Sequence, residues 1–320
     1  NPGNWMSAPP SPGIPNPIAA SGVLPSFSDV EHTEYPAAGE PVIVTAELAA
    51  ASAATMIYRV GFGPEVTVAM SENDGVHTAT IPGQAAGALI RYRLSANRNG
   101  RVGTWPRQGD GSDYRGTTVQ RDIDTGLPVV EIFIGDGLYE TMVNDLTLSG
   151  DDGYSMVFAH EGQVFSNARI RVKGQSSRTF PKKKFKIILP QGYDLESDLF
   201  PDDVDEFAIH SGWIDRSFLR ETIASEFMTE AGTRAQQAFP IRFEKNGQFY
   251  GLYTYVEQPD GTYRDRYDLD DSEVYEVGPD FIYGQLLPSD ATKSEADLRA
   301  RYDKETFEYD GDDRLRNFIT

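Results

Sequence analysis

Residues 169–187, RIRVKGQSSRTFPKKKFKI, hold two period-two patterns separated by a glycine-serine turn, which commits this stretch to paired strands with one buried face. Ile170 and Val172 alternate with Arg169, Arg171 and Lys173 on the first strand. On the second, Lys183, Phe185, Ile187 and Leu189 alternate with Lys182, Lys184 and Lys186. The pattern therefore puts Lys183 on the apolar side. An ammonium there is costly unless a carboxylate or phosphate meets it, or its stem carries the charge out to water. Gly174, Gln175, Ser176 and Ser177 form the turn. Its small residues let backbone donors approach phosphate oxygens, although without the flanking lysines the same turn reads as an ordinary hairpin.

Similar strand patterns organise the chain upstream. The first 24 residues are too rich in proline for helix or sheet and read as a linker. From 25 to 120, short runs at 41–48, 55–60, 66–70, 76–81 and 88–96 are spaced like an all-β sandwich of immunoglobulin or fibronectin type. Asn73-Asp74-Gly75 suits a tight reversal. A Gly- and Asp-rich break at 107–116 places a domain boundary near residue 120. Beyond it, LPVVEIFI, GYSMVFAH, NARIRVKG and KKKFKIIL read as strands, and 215–231 as a helix capped by Asp215 and ended by Gly232. Leu219, Ile223 and Phe227 form the helix's apolar stripe, with Glu226 inside it and Glu221 on the far side. Glu226 needs a partner: Lys183, or locally Arg216 or Arg220. FPIRFEKNG and QFYGLYTYVEQ follow as a hairpin turning at Asn246-Gly247 and ending at Glu257.

Composition removes several functions. With 29 basic and 49 acidic residues the net charge is −20, which repels nucleic acid and anionic membranes and suits a salty or extracellular medium. Cysteine is absent, which excludes disulfides, zinc thiolates and cysteine nucleophiles. No run reaches the ~20 apolar residues of a membrane helix. The chain starts at Asn1 with no signal segment, so both ends read as trimmed.

Strands, a lysine, a helix with an inward glutamate and two more strands follow the order of a protein kinase's small lobe, where a lysine–glutamate pair positions ATP phosphates. The three runs RVKGQSSRTFPKKKFKI, SGWIDRSFLRETIASEFMTEAG and FPIRFEKNGQFYGLYTYVEQ resemble the spore coat protein H (CotH) kinase family, an atypical secreted protein kinase group. The resemblance covers Leu127 to Glu257 and extends more weakly to Thr320. It implies an α+β kinase-like lobe over 121–320, with an antiparallel sheet and a helix equivalent to a kinase's αC. It also implies ATP with Mg²⁺ as cofactor, and Ser/Thr phosphorylation of secreted or surface proteins. Residue by residue, Gly174, Gln175, Ser176 and Ser177 match the turn, and Pro181, Lys182 and Lys183 the proline-lysine-lysine step. Asp215, Arg220 and Glu226 match the helix motif. Asn246, Gly247, Gly251, Tyr253 and Glu257 match the hairpin. Lys183 and Glu226 are the expected catalytic pair, and the turn, Lys182, Lys183 and Glu257 the expected nucleotide contacts. Lys173 stands where arginine is usual. The family's catalytic and metal-binding carboxylates lie in a second lobe, so a chain ending at Thr320 is expected to be inactive as it stands.

Other candidates are weaker. His32, His77, His160 and His210 show no ligand spacing. Asp268, Asp270, Asp271 and Glu273, and again Asp310, Asp312 and Asp313, complete no calcium loop and read as solvated acidic segments. Tyr250, Tyr253 and Tyr255 read as packing residues. The competing function is a non-catalytic surface adhesin or coat-assembly module on a kinase-like scaffold.

Overall fold

The computed structural model describes residues 23–145, 153–174, 176–269, 272–277, 290–299, 301–307 and 310–319. The proline-rich segment up to residue 22, Gln175, Asp270 and Asp271 lie outside the described residues. One compact unit runs through Glu257 and a second covers Gln258–Thr320. Among the described residues no helix is long and apolar enough to cross a membrane.

Nine strands open the first unit: β1 (Ser26–His32), β2 (Val42–Ala49), β3 (Ala54–Val60), β4 (Val66–Ala69), β5 (Ser71–Asn73), β6 (Val76–Ile81), β7 (Leu89–Arg98), β8 (Arg101–Trp105) and β9 (Arg115–Thr118). They form a sheet of order β1-β2-β6-β5 and a second of order β4-β3-β7-β8, with β9 also paired to β7. The sheets share one core, with Val42 and Val44 from one and Met56, Tyr92 and Leu94 from the other. Burial follows the pleat: Val42, Val44 and Ala46 are inside while Ile43 between them is 46% exposed. The expected reversal is present, with Asp74 at φ 50° and Gly75 at φ 87°.

The next strands are β10 (Val129–Phe133), β11 (Tyr154–His160), β12 (Gln163–Lys173), β13 (Lys184–Ile188), β14 (Glu206–His210), β15 (Ala238–Lys245) and β16 (Gln248–Glu257). They close into a seven-stranded barrel of order β10-β11-β12-β13-β14-β16-β15, its final seam the parallel pair of β10 with β15. The antiparallel sheet expected from the kinase resemblance is thus closed into a barrel by one parallel seam, its other pairs being antiparallel, and the chain is predominantly β. Helix α1 (Asp136–Asn144), unforeseen in the sequence, adds Tyr139 and Met142 to the barrel core. Phe158, Phe185, Phe207, Phe243, Tyr253 and Tyr255 fill the interior, each below 2% exposed. Their rings meet at offset and edge-on angles, such as Phe158 on Phe207 at 5.5 Å and 70°.

The parallel seam sets Glu131 directly beside Glu244, both outside the apolar interior and both nearly buried. Like charges facing each other across strands repel. Arg121, in the segment leaving the sandwich, bridges them: it donates to Glu131 at 2.8 Å, pairs with Glu244, and donates to the Gly247 carbonyl at 3.0 Å. Arg242 adds a bond to Glu244 at 2.7 Å, and the Gly247 N–H one to Glu131 at 2.7 Å. Burial still pushes the Glu131 carboxyl up to about 7, against the pull of Arg121. A carboxyl raised in the folded state favours folding most below its unfolded value near 4.5, and that advantage disappears as pH climbs through about 7.

The second unit contains α3 (Gly261–Arg266), α4 (Glu295–Arg299), α5 (Asp313–Ile319) and the hairpin of β17 (Tyr275–Val277) with β18 (Tyr302–Lys304). Leu298, Tyr302, Leu315 and Ile319 form its core. Of the acidic residues expected to be solvated, Asp312 is buried against Arg299 at 3.0 Å, and Glu273 pairs with Lys304 at 3.2 Å.

Removing Arg121 should leave two neighbouring buried carboxylates without their bridge. Arg121→Ala is expected to cost about 3–5 kcal/mol in urea unfolding at pH 8. At pH 5 the cost should be smaller, because Glu131 is then protonated in the folded state. An equal cost at both pH values would rule out charge repulsion at the seam as the cause.

Candidate functional site

Lys182 is half-buried against aromatic rings. It precedes β13, and its ammonium lies 4.6 Å from the Phe218 ring centre and 4.3 Å from that of Tyr253. It donates to the Leu252 carbonyl at 2.5 Å. Among the described residues no carboxylate pairs with it, and burial lowers its pKa to about 8. The aromatic faces offset part of the lost hydration through cation–π attraction. A Cβ on Gly251 would meet Lys182 Cε at an ordinary 3.5 Å and press on the Tyr253 ring at 3.2 Å.

Lys182 is also where the three sequence motifs converge: the lysine step, the segment before the helix through Phe218, and the hairpin through residues 251–253. Phe218 reaches it by an unusual backbone, at φ 58°, with its ring against Gly212. A Cβ on Gly212 would come within 2.6 Å of that ring.

The placement of Lys183 on a buried strand face is corrected. The strand starts one residue later, at Lys184, and Lys183 is half-buried with its ammonium donating to the Arg178 carbonyl at 2.5 Å. Phe185, Ile187 and Leu189 do face inward as the alternation requires. Lys186, on the outer face, is nevertheless covered and pairs with Glu206 at 2.7 Å.

The glycine-serine turn continues into a 3₁₀ turn, Ser176–Thr179, closed by the Thr179 hydroxyl donating to the Ser176 carbonyl. Gly174 sits at φ +102°, and a Cβ on it would lie 2.1 Å from Ser177 Oγ. Only glycine fits that backbone without strain.

The helix, α2 (Arg220–Glu230), is turned opposite to expectation. Leu219, Ile223 and Phe227 are 45%, 57% and 70% exposed, Glu226 is exposed too, and Thr222 is the buried residue. Among the described residues no ion pair joins Glu226 to Lys183. The helix holds to the barrel by its small polar face, with Ser225 Oγ donating to the Gln236 carbonyl at 2.5 Å. Helical periodicity separates two faces but does not say which one meets the barrel. The helix starts at Arg220 rather than Asp215, its N-cap position is Leu219 without a side-chain cap, and Asp215 instead accepts the Arg220 N–H at 3.0 Å from the turn before it, its hydrogen bonds, first that from Ser217, holding its pKa low.

Glu221, assigned to the far side, instead pairs with His210 Nδ1 at 2.6 Å. Glu257 is buried at the end of β16 and accepts the Gln237 N–H at 2.9 Å, an anchor for the segment leaving α2. His160 is a satisfied buried histidine: its Nδ1–H donates to the Val129 carbonyl at 2.9 Å. Among the described residues no group of three or more His, Cys, Asp or Glu is placed to hold a metal ion.

Gly174→Ala tests the turn. It is expected to cost about 1–3 kcal/mol by urea unfolding, from a strained φ and the clash with Ser177. Gly174→Ala with Ser177→Ala should recover the steric part only. Wild-type stability of the single variant would mean that the turn rearranges freely.

Comparison with known proteins agrees with the motifs. A search of curated proteins returned no match. Among solved structures, the crystal structure of a Br derivative of BhCBM56 is 17% identical, covering 24% of this chain and 84% of that chain, with a TM-score of 0.21, too low to bear on the fold. Residues 170–320 match the family model described as CotH kinase protein.

Proposed function

We propose that this kinase-like protein uses the rim around Lys182 to hold the phosphates of ATP, for transfer to Ser or Thr of secreted or cell-surface proteins. The observation that carries this reading is the convergence of three family motifs on one half-buried lysine that, among the described residues, has no carboxylate against it. An anionic phosphate would supply the counter-charge that the aromatic faces and one carbonyl only partly replace. Gly174, Ser176 and Ser177 form the neighbouring small-residue turn. Lys183 holds the end of that turn through Arg178, so the phosphate contact passes to Lys182 from its neighbour. Glu226 and Glu257 receive no nucleotide contact here, Glu226 because it faces solvent and Glu257 because it anchors backbone.

Bound ATP with Mg²⁺ supplies the transferable phosphoryl group and the cation that spreads its charge. No described residue is assigned to that cation. What the chain's own groups do is bind and orient: Lys182 offers an ammonium fixed by two rings, and the turn offers a close backbone approach.

A second reading, a non-catalytic adhesin or coat-assembly module, draws on the uncovered apolar residues Trp213, Ile214 and Phe227, which are 49%, 77% and 70% exposed. Binding of a fluorescent ATP analogue to the chain separates the two. Lys182→Ala is expected to weaken it about tenfold or more, a loss of ~1.4 kcal/mol, and Lys183→Ala far less. The reverse order would return the phosphate to Lys183. No binding by the wild type would favour the adhesin reading.

A further inference from the structure

Strand β7 reads Ile90-Arg91-Tyr92-Arg93-Leu94-Ser95-Ala96, and the pleat sends Ile90, Tyr92, Leu94 and Ala96 into the sandwich core. Arg91 and Arg93 therefore stand on the outer face. On β3, Arg59 is the direct cross-strand partner of Arg91. Like charges so placed repel, and Arg91 is only 7% exposed. Burial, and then Arg59, pull the Arg91 pKa down to about 10.

Among the described residues one carboxylate bonds to this group of guanidiniums, at Arg93. Glu65 takes Arg93 through both oxygens at 3.1 Å and accepts the Tyr114 hydroxyl. The remaining compensation comes from carbonyls and rings. Arg91 donates to Gly61 at 2.8 Å, and Arg59 to Phe62 at 3.1 Å and Gly63 at 2.9 Å. The Tyr114 ring lies 5.5 Å from Arg91 and 5.6 Å from Arg93, and Phe62 lies 5.5 Å from Arg91. The Nε atoms of Arg59, Arg91 and Arg93 are buried without an acceptor. Such an excess of cations is out of keeping with a chain of net charge −20.

The same outer face continues as a flat polar strip. Thr55 lies opposite Ser95, and Ser95 opposite Thr104. All three are half-exposed. Phe62, 51% exposed, offers a flat apolar ring at the guanidinium end.

We propose that this outer sheet face of the sandwich binds an acidic polysaccharide, with carboxylates or sulfates on Arg59 and Arg93, sugar rings on Phe62 and Tyr114, and hydroxyls along the threonine and serine strip. Charge complementarity selects an anion. The run of hydroxyl side chains and the exposed ring select a sugar polymer over an acidic peptide.

The test is affinity electrophoresis of the full chain through gels containing polygalacturonate, with neutral dextran and polyglutamate in parallel gels. Arg93→Gln and Phe62→Ala change side chains at the surface, and unchanged thermal unfolding would show that both variants fold. Polygalacturonate is expected to retard the wild type. Each variant should weaken that retardation about tenfold, and added salt should weaken it further. Equal retardation by dextran, or by polyglutamate with no effect of Phe62→Ala, would overturn the proposal. So would free migration in polygalacturonate.

Discussion

The barrel closes on a repulsion. Joining β10 to β15 in parallel register sets Glu131 against Glu244, and Arg121, from a segment outside the barrel, makes that register tenable. A buried ion cluster of this kind is a weak source of net stability but a strong selector among arrangements, because any shift of the seam would strand a charge. A one-residue slip would also turn Val130, Ile132, Ile241 and Phe243 out of the core. The charged outer face and the aromatic inner face thus specify one register from opposite sides.

Closure decides where chemistry can occur. An interior packed with aromatic rings has no room for a nucleotide, so polar functional groups must sit on the rim and outer wall. Lys182 follows that rule, outside the strand it precedes and against rings contributed by Phe218 and Tyr253. Helix α2 follows it too. It lies on the wall through Thr222 and Ser225, and a filled barrel gives its apolar stripe nothing to enter.

The sequence made strands legible because their period survives any topology: the boundaries at 76–81 and around 248 hold within a residue, and the Asn-Gly and Asp-Gly turns adopt the expected positive φ. Closure was not legible, since the parallel seam joins residues more than 100 apart and leaves no local signature. The same limit explains Lys183. Alternation fixed its face correctly for a strand that begins one residue too late to include it. His210 with Glu221 had no local signal, because the residues meet only after the helix has chosen its face.

Cations in so acidic a chain are scarce, and their surroundings differ in kind. Arg121 lies between two carboxylates and is balanced within the fold. Lys182 faces rings and a carbonyl, and of Arg59, Arg91 and Arg93 it is Arg93 that Glu65 holds. Dipoles and quadrupoles offset a desolvated charge only in part, since neither carries a net opposite charge. An anion arriving at Arg121 would compete with partners already in place. Arriving at Lys182 or at the arginine face, it would meet a charge that rings and carbonyls offset only in part, and this is the physical ground common to both proposals.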